Sequence, residues 1–241
     1  MTPEFRFRQF RVLAWNPRVS KETWLVLNRY VKFSITTYQQ LQKAVDIVSE
    51  RYHVLRTYYT ASMFSDPRNL EGIKSRDVRL LKSYLVLESD KHIEYNMDMA
   101  KHVYGELLDR NMPCQIVYSG AKSIHLIAEF NYLKYLGIRN LKKINFERPL
   151  PFRQRIYYER VARYNFLHRI LPEDLPRYGF DINTAVDPFR ITPVPGTVNR
   201  KSRFLVTVLE PEDLLTTPSY IRNKSSDHSN PLQSANTLLT H

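Results

Sequence analysis

Three short stretches carry side chains whose types and spacing could do chemistry on phosphates. In the first, Ser119-Gly120-Ala121-Lys122 has the composition of a tight turn between two apolar runs, and Ser123 and His125 follow it directly. A turn with Lys122 at its tip and a hydroxyl and an imidazole just beyond brings amide donors, an ammonium and a ring nitrogen to one edge. That edge suits a phosphate, although a strand histidine is also often only structural. In the second, the apolar run Tyr84-Leu85-Val86-Leu87 enters Glu88-Ser89-Asp90. Residues i and i+2 of a strand share a face, so Glu88 and Asp90 would stand side by side. Two carboxylates that close repel by ~4 kcal/mol at an effective dielectric of about 20, unless a cation lies between them or one holds a proton. A divalent metal with oxygen ligands relieves the repulsion; a solvated strand end is the alternative. The third stretch runs from Phe180-Asp181 through Asp187 and Arg190 to Pro195-Gly196, Asn199 and Lys201. Asp181, or else Asp187, would complete a three-carboxylate cluster, while Arg190, Asn199 and Lys201 could grip a triphosphate.

The elements that must position these groups follow from periodicity. Phe5 to Val12 alternates Phe with Arg and Gln and reads as an edge strand with basic side chains. Thr37-Tyr38-Gln39-Gln40 is a capping box before Leu41, Val45, Val48 and Tyr52 at helical spacing. Val54 to Thr60 is a strand, and Met99, Val103 and Leu107 mark a helix from about Met97 to Arg110, leading to a strand over Gln115 to Tyr118. Strand, helix and strand form a βαβ unit, which can bring Glu88 and Asp90 beside the His125 hairpin. A second helical region offers Ile156, Val161, Tyr164 and Leu171 as its buried side. Arg153, Arg155, Arg160, Arg163 and Arg169 supply its charge, either solvated or tracking a nucleic-acid backbone with Tyr157, Tyr158 and Tyr164 for stacking. A strand is expected over Arg203 to Leu209. Beyond Pro211 the apolar pattern fades, so the expected division is a folded domain over 1–210 and a flexible tail or linker over 211–241.

The whole chain narrows the classes. Its 241 residues, 43% hydrophobic, are enough for one sizeable core. A net charge of +12 favours a polyanionic partner. The longest apolar runs fall well short of the ~20 residues that span a bilayer, and the N-terminus has no signal-peptide core. A protein inside the cell, cytoplasmic or in the nucleoid or nucleus, is expected, with no membrane partner. The single cysteine, Cys114, excludes an internal disulfide and a cysteine-based zinc site, and reads as a small buried residue. A P-loop enzyme is excluded because no Gly-Lys-Ser/Thr occurs. A nuclease of the His-hydrophobic-His type is disfavoured, because Leu126 and Ile127 follow His125.

Taken in order, Leu87-Glu88-Ser89-Asp90, Ser123-Ile124-His125 and Phe180-Asp181 resemble the archaeo-eukaryotic primase superfamily of primase small subunits and primase-polymerases. That family shows an acid-x-acid pair ending an apolar strand, then Ser-x-His in a hairpin, then an apolar residue followed by Asp. The Ser119-Gly120 turn, Arg190 and Pro195 to Lys201 also look like family features, and the resemblance covers about Thr57 to Leu209. It implies an α/β (α+β) fold with mixed sheets, an RRM-like catalytic part and flanking helices. It implies a DNA primase or polymerase that joins nucleotides on single-stranded DNA through two Mg²⁺ or Mn²⁺ ions held by Glu88, Asp90 and Asp181, with no zinc. Lys122, Ser123, His125, Arg190, Asn199 and Lys201 would bind the nucleoside triphosphate, and a helicase or second primase subunit is an implied partner. Two departures stand out. Glu88 replaces the family's usual Asp, and in a reaction governed by positioning ~1 Å of displacement can cost ~100-fold. Thr192-Pro193 stands where relatives often carry a second basic residue. A catalytically silent, nucleic-acid-binding relative is the competing expectation.

Overall fold

The structure is a computed structural model that describes residues 4–75, 77–89, 91–145, 147–171 and 179–226. In its N-terminal half the chain forms β1 (Phe10–Asn16), β2 (Lys21–Val26), α1 (Leu27–Tyr30), α2 (Tyr38–Ser49) and β3 (His53–Thr60), then β4 (Met63–Phe64), β5 (Leu80–Lys82) and β6 (Tyr84–Leu87). Then come α3 (Ile93–Asp109), β7 (Cys114–Tyr118), β8 (Ile124–Glu129), α4 (Ile138–Leu141) and α5 (Phe152–Ile170). After a short helix, Ile182–Ala185, the chain adds β9 (Ile191–Pro193), β10 (Val198–Asn199), β11 (Phe204–Leu205) and β12 (Thr207–Leu209), and the last described helix is Pro218–Ser226.

Two four-stranded antiparallel sheets dominate, in the orders β2-β1-β3-β9 and β12-β7-β8-β6. In the first, Phe10, Val12, Ala14 and Val54 alternate inward and pack on Leu41, Ala44 and Val48 of α2. Burial of each such side chain contributes roughly 1.5–3 kcal/mol. The expected capping box is present: the Thr37 hydroxyl accepts from Gln40 N–H at 3.2 Å and Gln40 Oε1 accepts from Thr37 N–H at 3.2 Å. The start of the chain differs from expectation. Phe5–Phe7 is a 3-10 turn and β1 lies between β2 and β3, not at an edge. The alternation there reflects Phe5 stacking on Phe10 and a buried Arg8 that donates to the carbonyls of Thr60 and Ala61.

In the second sheet β6, α3 and β7 form the strand-helix-strand unit, but β8 is inserted between the two strands, antiparallel to both. This split arrangement carries the hairpin's second strand to the side of β6. The opposite face, with Leu85, Leu87, Ile116, Leu126 and Ala128, packs on Met99, Ala100, Val103 and Leu107 of α3.

Two expectations are corrected here. The buried face of α5 holds Ile156, Tyr158, Glu159, Ala162, Arg163, Phe166 and Leu167, whereas Tyr164 is 52% exposed. The fully buried Arg163 donates to Ser83 Oγ at 2.8 Å and to Tyr84 O at 2.9 Å, and Ser83 donates to Glu159 at 2.7 Å. A buried charge with these partners looks, in sequence, like a solvated one. Ordered structure also continues past 210. A 3-10 turn spans Pro211–Leu215, and the helix Pro218–Ser226 seats Ile221 in the core while Lys224 pairs with Asp213 at 2.6 Å. Residues 227–241 lie outside the described residues.

Candidate active site

The β7–β8 hairpin turns at Gly120, whose φ of +71° favours glycine. The Ser119 N–H donates to Ser123 O at 2.9 Å, the Ser123 N–H donates to Ser119 Oγ at 3.2 Å, and Lys122 is exposed at the tip. From this turn β8 runs with His125 opposite Val117, while its ladder with β6 ends at Leu126 opposite Leu87. One step further in that register, Glu88 falls opposite His125, so the two side chains rise from one face.

They meet there. His125 Nδ1 lies 3.0 Å from a Glu88 carboxylate oxygen, and Thr192 Oγ1 of β9 is 3.4 Å from the same nitrogen. Arg190, just before β9, forms an ion pair with the other Glu88 oxygen. The group therefore sits where the two sheets converge, with Glu88 and His125 nearly buried. Burial lowers the His125 pKa to about 4. The Glu88 carboxylate pulls the other way, but Arg190 already matches its charge, so the ring is neutral at pH 7. To hydrogen-bond a carboxylate, that neutral ring must carry its proton on Nδ1. Burial also lowers the Arg190 pKa, and its Nε has no hydrogen-bond partner among the described residues.

Asp181 reaches this edge through the backbone. An antiparallel bridge joins Ser89 to Phe180, which makes Asp181 the cross-strand neighbour of Glu88. Its carboxylate caps the Ile182–Ala185 helix, accepting from the Thr184 hydroxyl at 2.5 Å and the Thr184 N–H at 3.2 Å, and these bonds lower its pKa. Asp187 turns the other way and pairs with Arg160 of α5 at 3.4 Å. Asp90 lies outside the described residues. Among the described residues no three His, Cys, Asp or Glu side chains come together to hold a metal. Glu88 and Asp181 are neighbours across the bridge, but the present contacts put Arg190 and His125 against Glu88 and the Thr184 hydroxyl against Asp181.

The remaining expected residues divide. Asn199 is buried beneath the hairpin turn, its Oδ1 accepting from Arg56 Nε at 3.1 Å and from Lys201 N–H at 3.2 Å. Its Nδ2 has no partner among the described residues. Lys201 extends away from Glu88 and pairs with Glu22 of β2 at 2.5 Å. Sequence reasoning missed Thr192 and Arg56. The available signal for Arg56 was a charged residue inside the otherwise β-branched and aromatic run Val54 to Thr60.

No protein-family model matches the chain, and no curated protein matches it in sequence. Among solved structures, it is similar to one described as the polymerase domain from Mycobacterium tuberculosis Ligase D in complex with DNA. The TM-score is 0.53 at 12% identity, over 88% of this chain and 76% of that one. The chain shares the fold of that polymerase domain. At this identity the likeness speaks for architecture, and the residues themselves must carry any argument about chemistry. In this fold, Glu88 joins the imidazole and the guanidinium between the two sheets. No helix among the described residues is long and apolar enough to cross a membrane.

Proposed function

We propose that the chain is a template-directed nucleotidyltransferase of the primase-polymerase kind, joining nucleotides on single-stranded DNA. The observation that carries this reading is the Glu88, His125 and Arg190 group at the convergence of the two sheets of a primase-polymerase fold. A structural neighbour that is a polymerase domain in complex with DNA supports it, as does the +12 charge.

In this reading Arg190 is the movable part. It leaves Glu88 for the triphosphate, where a guanidinium offers paired donors to phosphate oxygens. His125, held neutral and oriented through Nδ1 by Glu88 and Thr192, would offer Nε2 to the triphosphate, with Lys122 and Ser123 on the hairpin edge as further donors. Glu88, Asp90 and Asp181 would hold Mg²⁺ or Mn²⁺, which when bound neutralises charge on the transferring phosphate and on the attacking and leaving oxygens. Asn199 acts indirectly, by fixing Arg56 and the β10 edge beneath the turn. Lys201 must give up Glu22 before it can take part.

A second reading is a catalytically silent nucleic-acid-binding relative. It is favoured by the Arg190 contact, which neutralises Glu88 without any metal, and by the longer Glu at that position. A gel assay separates the two. Single-stranded DNA, with and without an annealed primer, is given labelled nucleotides and Mg²⁺ or Mn²⁺, beside Asp90→Ala. Metal-dependent product that the variant loses supports a polymerase, and product in the unprimed lane makes it a primase. DNA binding with no product in any lane supports the silent reading.

A further inference from the structure

One face of the β2-β1-β3-β9 sheet is turned away from the core that Phe10, Val12 and Ala14 form with α2. Register places Trp24, Leu13 and Arg56 abreast on that face, with Arg11, Tyr58 and Pro193 in the next row. Trp24 and Tyr58 stand on strands separated by β1, yet their rings close to 5.1 Å between centroids at an interplanar angle of 55°. Trp24 is 51% exposed. A single exposed aromatic is ordinary, and an aromatic pair on a sheet can serve stability alone.

Three facts set this pair apart. It lies beside the strand that leads out of the candidate active site, since Tyr58 pairs with Pro193 of β9 and Arg190, the partner of Glu88, directly precedes β9. It is flanked by cations, with Arg56 Nη1 3.5 Å from the Tyr58 hydroxyl and Arg11 directly opposite Tyr58 on β1. The strand order also leads away from the catalytic group, with Tyr58 on β3 beside β9 and Trp24 on β2 at the far edge. That direction suits a strand whose successive bases follow one another, rather than one isolated base.

We infer that the Trp24 and Tyr58 rings form a stacking shelf for the bases of a single-stranded polynucleotide entering the Glu88 site, with Arg11 and Arg56 facing its phosphates. The inference rests on the proposed function for the identity of the strand as template. Aromatic stacking tolerates any base, and losing one ring weakens single-strand binding by about tenfold or more, while phosphate contacts supply the salt dependence.

The test uses the full chain at one fixed salt concentration. In Trp15→Phe, Trp24 is the sole tryptophan, and a ten-nucleotide oligothymidylate should quench its fluorescence. In Trp24→Ala, affinity for that oligomer should fall at least about tenfold, while affinity for an abasic phosphodiester of equal length stays the same. No quenching of Trp24, or equal affinities in Trp24→Ala and the parent, overturns the shelf. Thymidine triphosphate alone producing the full quench also overturns it, in favour of a mononucleotide site. The fluorescence arm keeps Trp24 in place and so does not depend on how Trp24→Ala folds. Failure here is distinguishable from failure of the proposed function. Primer extension by Trp24→Ala with unchanged template dependence removes the shelf and leaves the polymerase, and quenching without product does the reverse.

Discussion

Arg190 reaches from the residue before β9 to close an ion pair on Glu88, the first residue beyond β6. Removing the carboxylate leaves a half-buried guanidinium whose Nε already lacks a partner among the described residues. Glu88→Ala should therefore lower unfolding free energy by about 1–3 kcal/mol, and Glu88→Gln by less, because its amide oxygen still accepts. Urea titration reads both. If Glu88 also holds a divalent ion, Mn²⁺ should raise the thermal midpoint of the parent and not that of Glu88→Ala. An equal gain in the two proteins removes Glu88 from the ion site.

Much of this group was legible in the sequence because each part is local. Gly120 marked the turn, the apolar run after it placed His125 on a strand, and another apolar run delivered Glu88 to a strand end. Legibility stopped where partners come from far along the chain. The contact of Thr192 with His125 joins two sheets 67 residues apart, and the reach of Arg190 to Glu88 depends on how β9 docks on β3. Nor could the pattern show that Arg163 is buried, since burial of an arginine is decided by partners on other elements, here Ser83 and Tyr84. The helix Pro218–Ser226 escaped for a different reason: nine mostly polar residues held by one fully buried isoleucine show too little periodicity to read.

His125 gives a pH dependence with a definite sign. Its pKa in the folded protein, about 4, lies below the ordinary 6.5, so between these values the unfolded chain binds a proton that the fold excludes. The stability from the neutral ring is fully present above about pH 6.5 and is lost as pH falls toward 4, of the order of 3 kcal/mol at full effect. Among the described residues, the charged groups facing the ring are Glu88 and, through it, Arg190. Urea unfolding in chelator at pH 7.5 and 4.5 should show a larger loss for the parent than for His125→Gln, since the carboxylates elsewhere titrate in both. Equal losses would mean that the ring is charged in the fold.

Arg163 and Glu159 share the interior of α5, both without solvent exposure, and Arg163 also donates to Asp187 O at 3.4 Å. Truncating one partner strands the other's charge. Arg163→Met should cost about 3–5 kcal/mol, while the double change Glu159→Leu with Arg163→Met should recover a large part of it. The double-mutant cycle in urea measures that coupling. A coupling near zero would show that Ser83 and the Tyr84 carbonyl, rather than Glu159, carry Arg163.

Two glycines should respond to alanine with opposite signs. At Gly120 a methyl group would meet Phe204 O at 2.8 Å and both Asn199 Cβ and Leu205 O at 3.2 Å, at a φ of +71°. The left-handed backbone alone costs an alanine roughly 1–2 kcal/mol, and backbone carbonyls of the β10–β11 edge have little room to yield. Gly120→Ala should therefore destabilise by about 2 kcal/mol or more and shift the turn that carries Lys122 and Ser123, weakening nucleotide binding as well. Gly105 lies inside α3 with nothing within 4 Å of the added carbon, so Gly105→Ala should stabilise by about 0.5–1 kcal/mol. Thermal unfolding of the two variants side by side decides the matter. A neutral Gly120→Ala would mean that the hairpin tip and the β10–β11 edge are not packed together as described, and Asn199 would lose its place beneath the site.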